Sequence, residues 1–341
     1  MTRTGRAAAA GRERQGIRFL LALALALLPA LGDAESSLKA TAPPSVRTAD
    51  VRIVAPGVWV VPDDDLVLLV PNIGIIEGSH SVLVVDTGLG NANGAATYRL
   101  AQRIAKGRHI ILTTTHMHPE HALGASAFAE LDYLASANQA AEIGEKLQGL
   151  GELFKTFGPS ARAALDGFKV VSPTRTFVGE TRIDLGGRTV VLREMPAHTR
   201  GDEIVIVPDA GVVFTGDLVE ETSFPVLFDT DAHGATWISV LKALSAMKPR
   251  ILVPGHGHVG DARLIQPQLI YLEHLQAAVN RAVAKGEGQS ALTARLAPRF
   301  AALHPDWEFK DLIPYAIAIF YAEAAHSPPV MPGNAKHGQE E

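Results

Sequence analysis

The run His116-Met117-His118-Pro119-Glu120-His121 sets three imidazoles and a carboxylate within six residues, directly after an apolar, β-branched stretch over 109–113. Ligand-type side chains therefore cluster where a buried strand ends. Burying so many polar groups without a partner is costly, and a divalent metal held through nitrogen and oxygen offsets that cost. The chain contains no cysteine. Disulfides, thiolate ligands and a cysteine nucleophile are thereby excluded, and any metal has only N and O donors.

Four further motifs follow or precede this run in a fixed order: Val85-Asp86-Thr87-Gly88, Ala197-His198-Thr199-Arg200-Gly201-Asp202, Phe214-Thr215-Gly216-Asp217 and Pro254-Gly255-His256-Gly257. Taken alone, His198 and His256 read as satisfied buried histidines, and Asp217 as a turn aspartate. Their order around the histidine run changes that reading. Together the five motifs resemble the signature of the metallo-β-lactamase superfamily, in a His-x-His-x-Glu-His form of the usual His-x-His-x-Asp-His loop.

The resemblance implies a four-layer αββα sandwich of the α/β class, here with additional C-terminal helices. It implies one metal on His116, His118 and His198, a second on Glu120, His121 and His256, and Asp217 as the bridging carboxylate. Zn2+, one or two ions per chain, is the implied cofactor. Asp86 resembles the family's supporting aspartate, which holds a ligand histidine in its tautomer. Glu120 stands where the family has Asp, and one extra methylene displaces a carboxylate by more than a metal bond tolerates. Glu120 is also the residue expected to orient the attacking water and move a proton.

The function this implies is a zinc-dependent hydrolase, in which a metal-bound hydroxide attacks an ester, thioester, lactone or related bond of a small-molecule substrate. Two alternatives share the fold: a β-lactam hydrolase and an iron-binding oxidoreductase. Asp217 resembles the arrangement in the thioesterase, lactonase and sulfatase-like branches more than that in the β-lactam enzymes. His118 argues against the oxygen-reducing iron proteins, which tend to carry a carboxylate at that position.

The rest of the chain is organised around these motifs. Alternating apolar runs predict strands over 57–61, 67–70, 72–76, 81–85 and 109–113, then over 169–171, 181–185, 189–194, 203–207, 211–215 and 250–253. Helical spacing predicts helices over 93–105, 237–247, 262–284, 290–303 and 309–325, and a helical insertion over 137–168 broken at Gly158-Pro159. The domain reading is a catalytic domain over 51–285, a helical extension over 286–326 and a disordered tail over 327–341.

The first 34 residues carry five arginines, then an apolar run of 13 residues from Phe19 to Leu31, then small residues at Gly32 and Ala34. That layout reads as a secretory signal peptide cleaved near Ala34, placing the mature protein in a periplasm or outside the cell. The run is shorter than the roughly 20 residues that span a bilayer, so no stable membrane anchor is expected. Cleavage takes the formal net charge from −5 to −8, because the segment holds five arginines against Glu13 and Asp33. So acidic a chain, with no basic stripe, excludes sequence-independent nucleic-acid binding.

Overall fold

The computed structural model describes residues 43–332. The expected signal segment and the tail beyond residue 332 lie outside the described residues. Strands β1 (Arg52–Ala55), β2 (Val58–Val61), β3 (Ile73–Glu77), β4 (Ser81–Val85), β5 (His109–Thr113), β6 (Asp132–Ser136) and β7 (Arg175–Phe177) form one sheet in chain order. Its first four strands are antiparallel neighbours, and β4 to β7 run parallel. Strands β8 (Glu180–Asp184), β9 (Thr189–Glu194), β10 (Glu203–Val207), β11 (Val212–Gly216) and β12 (Ile251–Pro254) form the second sheet, in which only β11 and β12 are parallel.

Period-two alternation assigns each strand residue to one of two cores. In β4, Leu83 and Val85 face the second sheet and join Val205, Val212 and Phe214, while Val82 and Val84 face outward. The outward residues pack against α1 (Gly90–Ala105) through Leu100, Ala101 and Ile104. The parallel connections need helical crossovers, which is why helices cover that face. Past α1 come the short α2 (Pro119–Ala122), then α3 (Ala137–Glu142), α4 (Gln148–Phe154) and α5 (Pro159–Ala164).

The second sheet is covered in turn by α6 (Gly234–Met247) and α7 (Ile265–Val283), followed by α8 (Gln289–Ala301) and α9 (Ile313–Ala325). Trp237, Leu241, Leu272 and Leu275 are buried in this layer. The order helix, sheet, sheet, helix is the αββα sandwich expected from the sequence. Among the described residues no helix is long and apolar enough to cross a membrane.

Two expected strands are absent. Residues 67–70 form turns and coil, with Leu66 and Leu69 at positive φ, so the chain there curls over one end of the sandwich instead of pairing. Residues 169–171 are coil, exposed or half-buried, and no ladder partner reaches them. Apolar alternation over three or four residues is too short to separate a strand from a loop that lays side chains on a core. Of the expected disordered tail, residues 327–332 are described: they are coil and turn, with Met331 buried and the Val330 carbonyl accepting a bond from Gln289.

Candidate metal centre

All seven residues expected from the sequence converge at one end of the sandwich. The C-terminal end of β5 delivers His116 and His118, and α2 delivers Glu120 and His121. The β9–β10 connection carries His198, the residue after β11 is Asp217, and the turn after β12 carries His256. Glu120 and His121 are set in place by a close backbone approach. Gly124, just beyond α2, lies against Gly94 of α1, where a Cβ would sit 2.0 Å from the Gly124 carbonyl oxygen.

The seven side chains form two groups that share Asp217. His116, His118, His198 and Asp217 make one, and Glu120, His121, Asp217 and His256 the other, each with ligand atoms within 4.8 Å of one another. Asp217 is divided between them. Its Oδ2 lies 3.5 Å from His116 Nε2 and 3.8 Å from His198 Nε2, while its Oδ1 lies 3.2 Å from His121 Nε2 and 3.7 Å from His256 Nε2.

The outer nitrogens of the rings are engaged elsewhere, which turns the remaining ones inward. His198 Nδ1 meets the Val226 carbonyl at 2.8 Å, and His256 Nδ1 the Val70 carbonyl at 2.9 Å. His121 Nδ1 lies 2.9 Å from Asp86 Oδ2. Asp86 itself sits at φ +66 and accepts from the Thr115 backbone N–H at 2.7 Å, so this supporting carboxylate is held in a left-handed conformation that few non-glycine residues adopt. Asp202 accepts from the backbone N–H groups of Ala197, His198 and Thr199 and from the Thr199 hydroxyl, shaping the loop that presents His198.

Buried polar atoms left without a hydrogen-bond partner cost about 1–3 kcal/mol each. Here His116 Nε2, His118 Nε2, His121 Nε2, Glu120 Oε2 and Asp217 Oδ1 are all buried and unpartnered. His121 Nε2 and Asp217 Oδ1 lie 3.2 Å apart, and both belong to the group of ligand atoms gathered around one space. Such a donor set fits a divalent cation, and the His/Asp cluster could hold one.

Charge follows the same division. Burial, reinforced by the neighbouring imidazoles, holds His116 and His118 well below the ordinary histidine value and lowers His198, which keeps these rings neutral and able to donate lone pairs. Burial alone would also depress His121 and His256. The Asp217 carboxylate overcomes it in both, assisted by Asp86 at His121 and by Asp63 at His256, lifting His121 well above the ordinary value and His256 to about 10. A cation entering the second group therefore displaces protons. Burial also raises Glu120, consistent with a carboxyl that can carry one.

Several contributors carry no sequence signal. Asp63 Oδ2 lies 3.7 Å from His256 Nδ1, and Asn72 ties the two loops together, accepting from the Asp63 N–H and donating to the carbonyls of Pro254 and Gly257. Phe228 stacks on the His118 ring at 5.1 Å. Beside it, Lys146 Nζ is bound by Glu142, Asp229 and Asp231 at 2.7–3.0 Å, so a lysine already fills this third acidic group. His258, outside the expected set, lies on the exposed side and meets Glu221 at 2.8 Å.

Replacing Asp86 with Asn keeps a hydrogen-bonding side chain at the same place but removes the charge behind His121. Metal affinity is expected to fall roughly 10- to 100-fold, read by competition with a chromogenic chelator. An unchanged affinity would mean that His121 does not hold metal.

A sequence model of the metallo-beta-lactamase superfamily matches residues 66–256. The acyl-coenzyme A thioesterase MBLAC2 of Homo sapiens is 28% identical over 165 residues, covering 45% of this chain and 59% of the relative, and its Bos taurus counterpart is 27% identical over the same length. The chain thus spans less than two thirds of the curated relatives it matches. Among solved structures, the sec-alkylsulfatase Pisa1 from Pseudomonas sp. superposes with a TM-score of 0.62 at 14% identity, over 85% of this chain and 52% of that one. A metallo-beta-lactamase from Pontibacter korlensis gives 0.50 at 20% identity, over 65% of this chain and 98% of that one. These two likenesses speak to the fold.

Proposed function

Because the chain belongs to the metallo-beta-lactamase superfamily, we propose that it is a zinc-dependent hydrolase of small-molecule esters, thioesters or lactones. The observation that carries this reading is the divided Asp217 carboxylate, one oxygen turned to each histidine group. In this reading His116, His118, His198 and Asp217 would hold one cation, and Glu120, His121, His256 and Asp217 a second. Cations bound there supply the Lewis acidity that activates water and polarises a scissile carbonyl near neutral pH.

The chain's own groups do the rest. In this reading Glu120 orients the attacking water and takes up its proton, a role supported by an Oε2 that is buried and unpartnered. Val70 and Val226 carbonyls and the Asp86 carboxylate keep the ring nitrogens pointed inward during turnover. Apolar side chains around the centre exclude bulk water, which strengthens every charge interaction inside. The thioesterase activity named for the human and bovine relatives supports a thioester among the substrates. Export to a periplasm or the exterior belongs to the same proposal and is supported by the first 34 residues of the sequence.

The test is a stripped and reloaded enzyme. Chelation is expected to abolish hydrolysis across a panel of acyl thioesters, esters and lactones, and Zn2+ to restore it, with element analysis giving one or two ions per chain. Nitrocefin turned over in preference to that panel would move the protein to the β-lactam branch. Iron retained under limited-metal growth, with oxygen consumed and no hydrolysis, would move it to the oxidoreductases.

A further inference from the structure

The pocket that opens onto the metal centre is lined in part by Val226 and Phe228, and the same two residues touch the first histidine group. The Val226 carbonyl meets His198 Nδ1 at 2.8 Å, and the Phe228 ring stacks on His118 with centroids 5.1 Å apart. A carbonyl only accepts, so this contact keeps the His198 proton on Nδ1 and leaves Nε2 for a cation. Residues 224–233 belong to no helix or strand. Just after Phe228, two carboxylates of this loop meet one ammonium: Lys146 Nζ lies 3.0 Å from Asp229 Oδ1 and 2.7 Å from Asp231 Oδ1. Lys146 is itself a fixed point. It stands in a π-helical turn over Ile143–Leu147, between α3 and α4, a type of turn that is rare inside helices and concentrates at functional sites. Its ammonium also donates at 2.9 Å to Glu142, which is fully buried and accepts the Arg200 backbone N–H as well. Three residues earlier, Gln139 accepts from the Thr114 hydroxyl at 2.6 Å and donates to the Thr114 carbonyl at 2.7 Å, which fastens α3 to the segment that leads into His116.

We infer that Lys146 is a positioning residue for one half of the metal centre: its ammonium holds the 226–231 loop against the helical insertion, and through Val226 and Phe228 it sets the rings of His198 and His118. Taking an ammonium and carboxylates out of water offsets most of their attraction, so such a cluster is a poor source of stability. What it enforces is position, because a partner that moves leaves a buried charge unpaired. The other half of the centre has no tie of this kind. Val70, Asp86, Asp63 and Asn72 support His121, His256 and the turn that carries it, and none of the four belongs to the insertion or to the 224–233 loop. The consequence for cation binding rests on the reading of the two groups given above, while the tether itself has a readout that needs no turnover.

The test compares the Zn2+-loaded parent with Lys146→Met, which keeps the reach of the side chain and removes its charge. The Nδ1 protons of His198 and His256, each donated to a backbone carbonyl, are followed as separate downfield proton resonances by NMR and assigned by their loss in His198→Asn and His256→Asn. In Lys146→Met the His198 signal is expected to move or to broaden through exchange with water, and the His256 signal to stay. Competition with a chromogenic chelator is expected to show Zn2+ at the His198 group held at least about tenfold more weakly, the two signals identifying which group each equivalent fills. Asp231→Asn weakens one of the three contacts at a partly exposed position and is expected to shift the same signal by less, which decides the matter should Lys146→Met not fold. A His198 signal unchanged in the folded variants overturns the inference. So does an equal disturbance of both signals, which is what a general loosening of the fold would give. A selective His198 shift in a protein whose parent hydrolyses nothing upholds the tether and counts against the hydrolase reading. Hydrolysis by the parent with the His198 signal unmoved in the variants does the reverse.

Discussion

Asp217→Asn is expected to empty both cation groups at once and to lower kcat/KM roughly 10^3-fold or more. No other ligand serves two groups. The carboxylate turns Oδ2 towards His116 and His198 and Oδ1 towards His121 and His256, at 3.2 to 3.8 Å. An amide of the same shape replaces one oxygen by an N–H donor that no cation accepts, and it deletes the negative charge that, in the proposed two-cation reading, would balance two positive ions. By contrast, a change at His198 or His256 removes a ligand from one group alone. Element analysis of the purified variant, beside a circular dichroism spectrum matching the parent, checks the expectation. Full metal content with more than a tenth of the parent activity would show that the carboxylate bridges nothing.

Gly255→Ala is expected to produce much of the same loss without deleting any ligand, lowering activity on the order of 10^2-fold. A Cβ at this position would lie 1.9 Å from Asp217 Oδ1 and 2.8 Å from the Asp217 backbone nitrogen, both too close for real atoms. The backbone cannot retreat easily. The Gly255 N–H donates to the carbonyls of Gly216 and Val219, and its own carbonyl accepts from the Asn72 N–H. The carboxylate must therefore rotate away from the centre or the His256 turn must shift, and a displacement of about 1 Å at a reacting centre is enough for the effect. Metal content falling in step with activity is the result expected. Activity within twofold of the parent would mean that the Pro254-Gly255-His256 turn adapts.

The sequence revealed elements in proportion to the length and regularity of their patterns. The strand over His109–Thr113 and the long helix over Ile265–Val283 are sustained periodic runs, and they lie where the pattern puts them. Residues 67–70 carry the same kind of side chains but no pairing partner, and they instead furnish Leu69 to the pocket and a carbonyl to His256. Glu220 carried no sequence signal at all. It stands in no motif and no predicted element, and only the folded chain shows the carboxyl lining the pocket, pushed up to about 8 by burial and by the nearby Asp217 charge.

What the amino-acid order by itself determined was the identity of seven side chains able to hold cations and the sandwich architecture their motifs imply, because ligand chemistry and hydrophobic period are properties of residue type and spacing. What only the tertiary structure decided was how Asp217 divides its oxygens, that the carbonyls of Val70 and Val226 orient the rings, and that side chains from four distant segments, 63–69, 153–157, 220–228 and 308–315, meet around the centre. Those depend on where separate loops are brought together at the end of two packed sheets, and loop placement is set by long-range contacts that no local pattern encodes.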